Sequence, residues 1–369
     1  MRILFFGDYS NLHAVIAQEL KQRGHDVTVI SDGGRYMDTA KDILLDRYPG
    51  KLNAVKYLYE VNRLVRKIKD FDVVQLINSH FLNLRPEKIK YFYDILRNNN
   101  RSVFLTLAGD DFHFVDACMK SDTFQFSEFM VGKQFTEFEK ISQRGRLWIS
   151  ESNRKLSEHI YSTMSGAVSV LPEYDIPSRP ILKDKLTFAN IPINLKSLNY
   201  SELPEGKLKI FIGIRGGMEI QKGTGLLLKM AERIEKRFPE LCEVECVRNL
   251  PLKEYLHRMN SSHIVLDQFY SYSPATNALQ AMALGKVVGT GGQPEYYDYI
   301  REAERPIIPL SPLKSSQEWE EYLVSLISDR QRMEEMSRQG RQLVESHNDI
   351  GIVVDKFENH WKKIIGKSN

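Results

Sequence analysis

The sequence predicts an α/β protein built as two doubly wound, Rossmann-like domains. Its 369 residues exceed one ordinary domain, and two halves of about 180 residues fit the usual size. Short continuous apolar runs alternate with amphipathic stretches, as in parallel strands covered by helices on both faces. The stretch Ile264 to Asp298 carries the pattern most fully: strand, loop, helix, a stop at Gly285, a short buried strand, a glycine-rich turn and a further helix.

Composition narrows the function. A hydrophobic fraction of 42% supplies cores for both domains. With 51 Lys+Arg against 48 Asp+Glu the charges nearly cancel, which argues against a dedicated nucleic-acid binder. The opening MRILFFGDYS lacks the long apolar region of a signal peptide, and no window approaches the ~20 apolar residues of a membrane span, so a cytoplasmic protein is expected. Cys118, Cys242 and Cys246 are too few and too far apart for a metal site and read as reduced thiols.

Taken in order, Arg2 to Phe6 is a buried strand, Gly7 to Asn11 a turn, His13 to Lys21 an amphipathic helix and Val27 to Ile30 the second strand. The G-x-G-x-x-G fingerprint is absent, so a nicotinamide or flavin site is not expected. Lys51 to Lys69 is a basic amphipathic helix, and Arg85 to Arg101 is basic and aromatic. Such faces suit an anionic membrane surface; their simpler reading is an apolar stripe on the sheet with charges in water. Asp72 to Leu76 and Ser102 to Leu107 are further strands, which run into His80 and into Gly109-Asp110-Asp111, polar groups where strands end. A helix cap and a partly buried histidine are the structural alternatives there. Phe112 to Gln143 reads as an irregular or helical excursion, Leu147 to Ser150 as a strand, Glu151 to Met164 as a helix and Ala167 to Leu171 as a strand. Prolines crowd Asp175 to Pro204, which points to a linker.

Leu208 to Ile214 opens the second domain, followed by Arg215-Gly216-Gly217 and Lys222-Gly223-Thr224-Gly225 before a helix. Two cations around a glycine-rich strand-to-helix turn suit a diphosphate: the glycines admit the backbone and the cations neutralise charge. The loop ending in Ser273, Pro274, Ala275, Thr276 and Asn277 precedes another helix, whose unpaired N–H groups favour an anion. Gly291, Gly292, Pro294 and Glu295 repeat that arrangement one strand later.

The run from Gln280 to Val288, followed by Gly291-Gly292-Gln293-Pro294-Glu295, resembles the E-A-M-A-x-G-x-P-V … G-G-x-x-E signature of family 4 glycosyltransferases. Arg23-Gly24-His25, Arg215 with Lys222-Gly223, and Ile191-Pro192-Ile193-Asn194 extend the likeness, although Arg215 and Lys222 stand two residues further apart than usual. The resemblance implies a GT-B fold, two Rossmann-like domains facing a cleft. Expected boundaries are an acceptor-side domain at 1–195, a nucleotide-sugar domain at 206–348 and a helix at 349–369 crossing back to the first, braced by Trp361. It implies sugar transfer from a nucleoside diphosphate with retention, no metal or other cofactor, and a glycan or lipid-linked acceptor in cell-surface polysaccharide synthesis, such as capsule or lipopolysaccharide. Residence in the cytoplasm, with peripheral contact at the inner face of the membrane, follows.

By the same resemblance Gly7 lets a ligand approach the backbone, as Gly216 does in the second domain. Ala108 stands where many members carry a histidine, which makes Asp110 or Asp111 the leading catalytic candidate and His80 the next. Arg215, Lys222, Ser273, Thr276, Asn277, Gln280 and Glu295 form the expected donor site. The family's two glutamates are replaced: Gln280 stands where one holds the ribose hydroxyls, and Tyr272 where the other faces the donor sugar. Glutamine still donates and accepts hydrogen bonds, but a phenol is a poor substitute for a carboxylate. Asp267 and Gln268 are candidates for part of that role. A nucleotide-sugar or glycan binder without transfer is the alternative.

Overall fold

The computed structural model describes residues 1–34, 38–120 and 122–366, and the chain divides into two compact units. The first comprises Met1–Asp116, Arg146–Pro192 and Ile350–Asn369; the second comprises Ala117–Gly145 and Ile193–Asp349.

The first unit holds a seven-stranded parallel sheet. Its first five strands in the chain are β1 (Arg2–Phe6), β2 (Asp26–Ser31), β3 (Ile43–Leu44), β4 (Val73–Leu76) and β5 (Val103–Leu107). The small hairpin of β6 (Met130–Val131) and β7 (Gln134–Phe135) belongs to the second unit. The sheet is completed by β8 (Gly166–Ser169) and β9 (Leu186–Phe188), in the order β3-β2-β1-β4-β5-β8-β9. Ile3 to Phe6 are at most 1% exposed, as a strand covered on both faces requires. Gly7 turns the chain after β1 with φ +85°, and a Cβ there would lie 2.2 Å from Ile77 Cγ2, so only glycine fits.

A buried polar chain runs through this core. His13 is fully buried; Nδ1 lies 2.7 Å from the Gly7 carbonyl and Nε2 2.8 Å from Thr106 Oγ1, which accepts from Gln75 Nε2. Trp361 Nε1 donates to Gln75 Oε1 at 2.9 Å, which ties the terminal helix Ile350–Gly366 to the sheet. The same helix is held by Arg23 and His25, which reach Glu358 at 2.8 and 2.9 Å. Burial depresses the His13 imidazole to about 3, so the ring is neutral, with Nδ1–H donating to Gly7.

Three segments differ from their sequence reading. Leu147 to Ser150, expected as a strand, includes the end of the helix Glu139–Trp148. The proline-dense stretch begins inside a helix, Pro172–Leu182, despite Pro177 and Pro180. Asp175, with a side chain 1% exposed, steadies it by pairing with Arg179 at 2.6 Å and accepting from Ser169. The excursion after the helix Phe112–Cys118 groups with the second unit, because Phe124, Phe126 and Phe129 bury their rings there.

The second unit carries a five-stranded parallel sheet of β10 (Leu208–Ile214), β11 (Cys242–Arg248), β12 (Ile264–Leu266), β13 (Val287–Thr290) and β14 (Ile307–Pro309). Their order is β11-β10-β12-β13-β14. Its core joins Ile210, Ile212 and Leu266 to Leu227, Met230, Trp319 and Leu323 from the covering helices. Among the described residues no helix is long and apolar enough to cross a membrane.

Candidate functional site

In the second unit the candidates gather past the carboxyl ends of β10 and β12, where open α/β sheets bind ligands. After β10 the chain turns through Arg215, Gly216 and Gly217, all exposed, into the short helix Glu219–Lys222. Gly223 then starts the helix Thr224–Arg237 at φ +69°, and a Cβ there would stand 2.7 Å from Phe269 Cβ. That close approach lets Phe269 N–H donate to the Lys222 carbonyl at 2.8 Å, stitching the turn to the loop after β12.

Side chains complete the stitch. Lys222 Nζ lies 3.4 Å from Asp267 Oδ1, and Asn277 Nδ2 donates to the same oxygen at 2.9 Å. Tyr255 Oη donates to Asn277 Oδ1 at 2.8 Å. Gly213 makes room for that phenol, since a Cβ on it would lie 2.0 Å from Tyr255 Oη. Asp267 is only 1% exposed, and its Oδ2 is buried with no hydrogen-bond partner. Lys222 and Asn277, two donor candidates far apart in the chain, thus share one buried carboxylate.

The remaining donor candidates fall around this array. Ser273 is buried, Thr276 opens the helix Thr276–Ala283 half-buried, and Gln280 is half-buried on it. Gly216 N–H donates to Asn249 Oδ1 at 3.0 Å. Glu295 is exposed in the first turn of the helix Pro294–Ile300. Tyr272 does not stand as an open polar group: its ring stacks on Phe126 at 4.5 Å and its oxygen accepts from the Gln125 amide at 2.6 Å. Sequence reasoning missed Tyr255 and Asn249, whose roles rest on long-range contacts with no local pattern.

In the first unit a cavity of about 380 Å³ lies past β1, β2 and β4, lined by Gly7, Asp8, Asp46, Arg47, His80 and Trp148 among others. It sits where the strand order reverses around β1. Asp8 accepts from the His13 amide at 2.8 Å and from Thr39 Oγ1 at 3.1 Å, and burial raises its carboxyl to about 6. His80 borders the cavity with both ring nitrogens engaged: Nε2 is 3.0 Å from Asn153 Oδ1 and Nδ1 3.2 Å from Ser79 Oγ. Burial lowers its pKa, so it stays neutral.

Asp111 lies 5% exposed, with Oδ1 accepting from the Phe114 amide and Oδ2 from Tyr161 Oη, at 2.8 and 2.7 Å. That is a helix cap and a core contact. Asp110 is half-buried on the same turn, and neither aspartate lines the 380 Å³ cavity. A wider cavity of about 530 Å³, lined by His113, Glu158, Tyr161 and Lys183 to Lys185 among others, contains none of the sequence candidates. Among the described residues no group of three or more His, Cys, Asp or Glu side chains is arranged to hold a metal ion.

No protein-family model and no curated protein matches this sequence. Its structure is similar to several solved ones. A sucrose-phosphate synthase from Thermosynechococcus elongatus matches with TM-score 0.64 and 12% identity over 100% of both chains. The catalytic domain of starch synthase IV from Arabidopsis thaliana, bound to ADP and acarbose, matches with TM-score 0.59 and 10% identity over 99% of both. The chain has the GT-B fold. A third similar structure, the UDP-GlcNAc 2-epimerase from Neisseria meningitidis bound to UDP-GlcNAc, has TM-score 0.55 and 15% identity, covering 98% of this chain and 100% of that one. At identities this low, the structural similarity establishes the fold and leaves activity to the site.

Proposed function

We propose that this GT-B protein is a glycosyltransferase of the family 4 type. It moves a sugar from a nucleoside diphosphate to a glycan or lipid-linked acceptor, with retention, in the assembly of a cell-surface polysaccharide such as capsule or lipopolysaccharide. The observation that carries the reading is the Lys222–Asp267–Asn277 array beside the start of the helix at Thr276. A cation and the N–H groups of a helix start are the groups that stabilise a departing diphosphate, with no proton transfer required of them. Arg215 and Gly216 add a second cation and open backbone to the same end of the sheet. The bound ADP and UDP-GlcNAc of the similar structures are consistent with a diphosphate there.

Gln280 would hydrogen-bond the ribose, and Ser273 and Glu295 complete the proposed donor set. On the first unit, the cavity beside Gly7 and His80 is the proposed place for the acceptor, with Asp110, whose charge acts on Tyr9 in the cavity's lining, as the polar group nearby. Contact with an anionic membrane fits the helix Lys51–Val65, where Leu52, Val55 and Tyr59 are 86%, 68% and 66% exposed among Lys51, Lys56 and Arg63. We place the protein in the cytoplasm, at the inner face of that membrane.

Thermal stabilisation by a panel of nucleoside diphosphates and their sugars tests the donor site. One diphosphate should stabilise the chain, and Arg215→Ala or Lys222→Ala should remove the effect. The engagement of Tyr272 with the backbone favours a second reading, a GT-B protein that binds a nucleotide sugar without transferring it. Donor hydrolysis without acceptor separates the two, since an inert site releases no free sugar above background. Product analysis of the same reaction detects epimerisation.

A further inference from the structure

The segment 117–145 folds on the second unit at two posts, and both adjoin the donor array. One is Tyr272, immediately before Ser273. Its ring lies nearly parallel to Phe126, at 13°, with Phe124 at 5.3 Å, and its oxygen accepts from the amides of Gln125 and Phe126. The Tyr272 carbonyl accepts from the Gln293 amide at 3.1 Å, so the post is itself fixed to the next glycine-rich turn. The other is Glu128, which pairs with Arg144 across the segment and accepts from Gln221 Nε2 at 3.3 Å. Gln221 immediately precedes Lys222, and the Arg144 guanidinium lies 4.9 Å from the Phe129 ring centroid.

We infer that this segment is a strap forming the wall against the donor's sugar, with Tyr272 as its positioning residue and Glu128 as the specificity-determining carboxylate it delivers. This inference rests on the proposed donor site. The phenol at 272 has its oxygen turned to two backbone amides, so a hydroxyl-accepting group on that side has to come from elsewhere. Glu128 is such a group: its side chain is 22% exposed and held in place by Arg144. A nucleobase would want an open ring to stack on, but Phe124, Phe126 and Phe129 are buried at the posts. Hydroxyl recognition is what the strap offers where Glu128 meets Gln221, next to Lys222 in the chain.

The test compares thermal stabilisation by a nucleoside diphosphate with that by its sugar conjugates, in wild type and in Tyr272→Ala, Tyr272→Phe and Glu128→Gln, alongside hydrogen exchange. In wild type the cognate conjugate should stabilise more than the bare diphosphate. Tyr272→Ala should speed exchange at the Gln125 and Phe126 amides and abolish that increment, leaving the response to the bare diphosphate intact. Tyr272→Phe keeps the stack and should retain part of it. Glu128→Gln should weaken the conjugate roughly tenfold without freeing the strap, because a hydrogen bond to a charged group is lost.

A strap released by Tyr272→Ala with the increment unchanged would overturn the inference. So would equal losses for conjugate and bare diphosphate in a folded variant, which would place the strap against the nucleotide. Failure of every diphosphate to stabilise wild type is a different result: it removes the donor site and this inference with it.

Discussion

Replacing Lys222 by alanine probes the proposed donor array through both stability and ligand response. Asp267, 1% exposed, has Lys222 Nζ at 3.4 Å and Asn277 Nδ2 at 2.9 Å on a single oxygen. Removing one partner of a buried ion pair costs about 3–5 kcal/mol, because a charge is left uncompensated. The Lys222 side chain is 29% exposed, so water recovers part of that and about 2 kcal/mol is expected. For a folding unit of this size the melting temperature should fall by roughly 4–8 °C. Adding Asp267→Asn removes the stranded charge while leaving Asn277 an acceptor, so the double variant should recover about 1 kcal/mol or more.

Ligand response separates from stability in that double variant. At 100 times its dissociation constant a nucleoside diphosphate that binds the proposed site should add about 2.7 kcal/mol to wild type. Loss of a hydrogen bond from a cation weakens it by roughly 10- to 100-fold, so the same concentration should add less than about 1.4 kcal/mol. Denaturant and thermal unfolding with and without the diphosphate measure both. A double variant that regains stability and keeps the full 2.7 kcal/mol would show that Lys222 does not touch the diphosphate. Unchanged stability in Lys222→Ala would show that the ion pair is not what supports Asp267.

Acid should destabilise the fold. His13 and His360 are held near 3 and 4 by burial, so below about pH 6.5 the unfolded chain takes protons that the folded one refuses, and their stabilising contribution drains away as pH falls. Asp8, raised to about 6, acts oppositely: its contribution is full below about 3.8 and is lost as pH rises through 6. Two histidines outweigh one carboxylate, so stability should fall between pH 6 and 5, and a flat urea midpoint over that range would contradict it. Trp361→Phe strands Gln75 Oε1 and opens a void in the core, so it should cost about 2–4 kcal/mol; an unchanged denaturation midpoint would sink the role of the polar chain. Leu52→Glu with Val55→Glu, at 86% and 68% exposed positions, should leave stability within about 0.5 kcal/mol yet reduce cosedimentation with anionic vesicles. Undiminished binding to those vesicles would remove the membrane reading.

Much of the architecture was legible because it follows from local patterns. Apolar runs such as Ile3 to Phe6, bounded by turn residues, read as buried strands, Gly7 and Gly223 mark backbone that no side chain tolerates, and the cations and hydroxyls of Lys222 and Thr276 sit where strands hand over to helices. Pro172–Leu182 was illegible because its prolines oppose a helix that the Asp175–Arg179 pair steadies. Asp111 offered two readings, and its cap on Phe114 with the phenol of Tyr161 shows a structural use that the Gly-Asp-Asp turn alone did not decide.

By itself the sequence determined the strand and helix alternation and the position of the glycine-rich turns, with Tyr272 and Gln280 between two of them. Only the tertiary structure decided what Tyr272 touches. Periodicity reports which face of an element is apolar, but not which distant surface will cover it. The aromatic rings of residues 124–129 found theirs around Tyr272, and Lys222 found Asp267, through contacts between segments far apart in the chain, where no local spacing records the match.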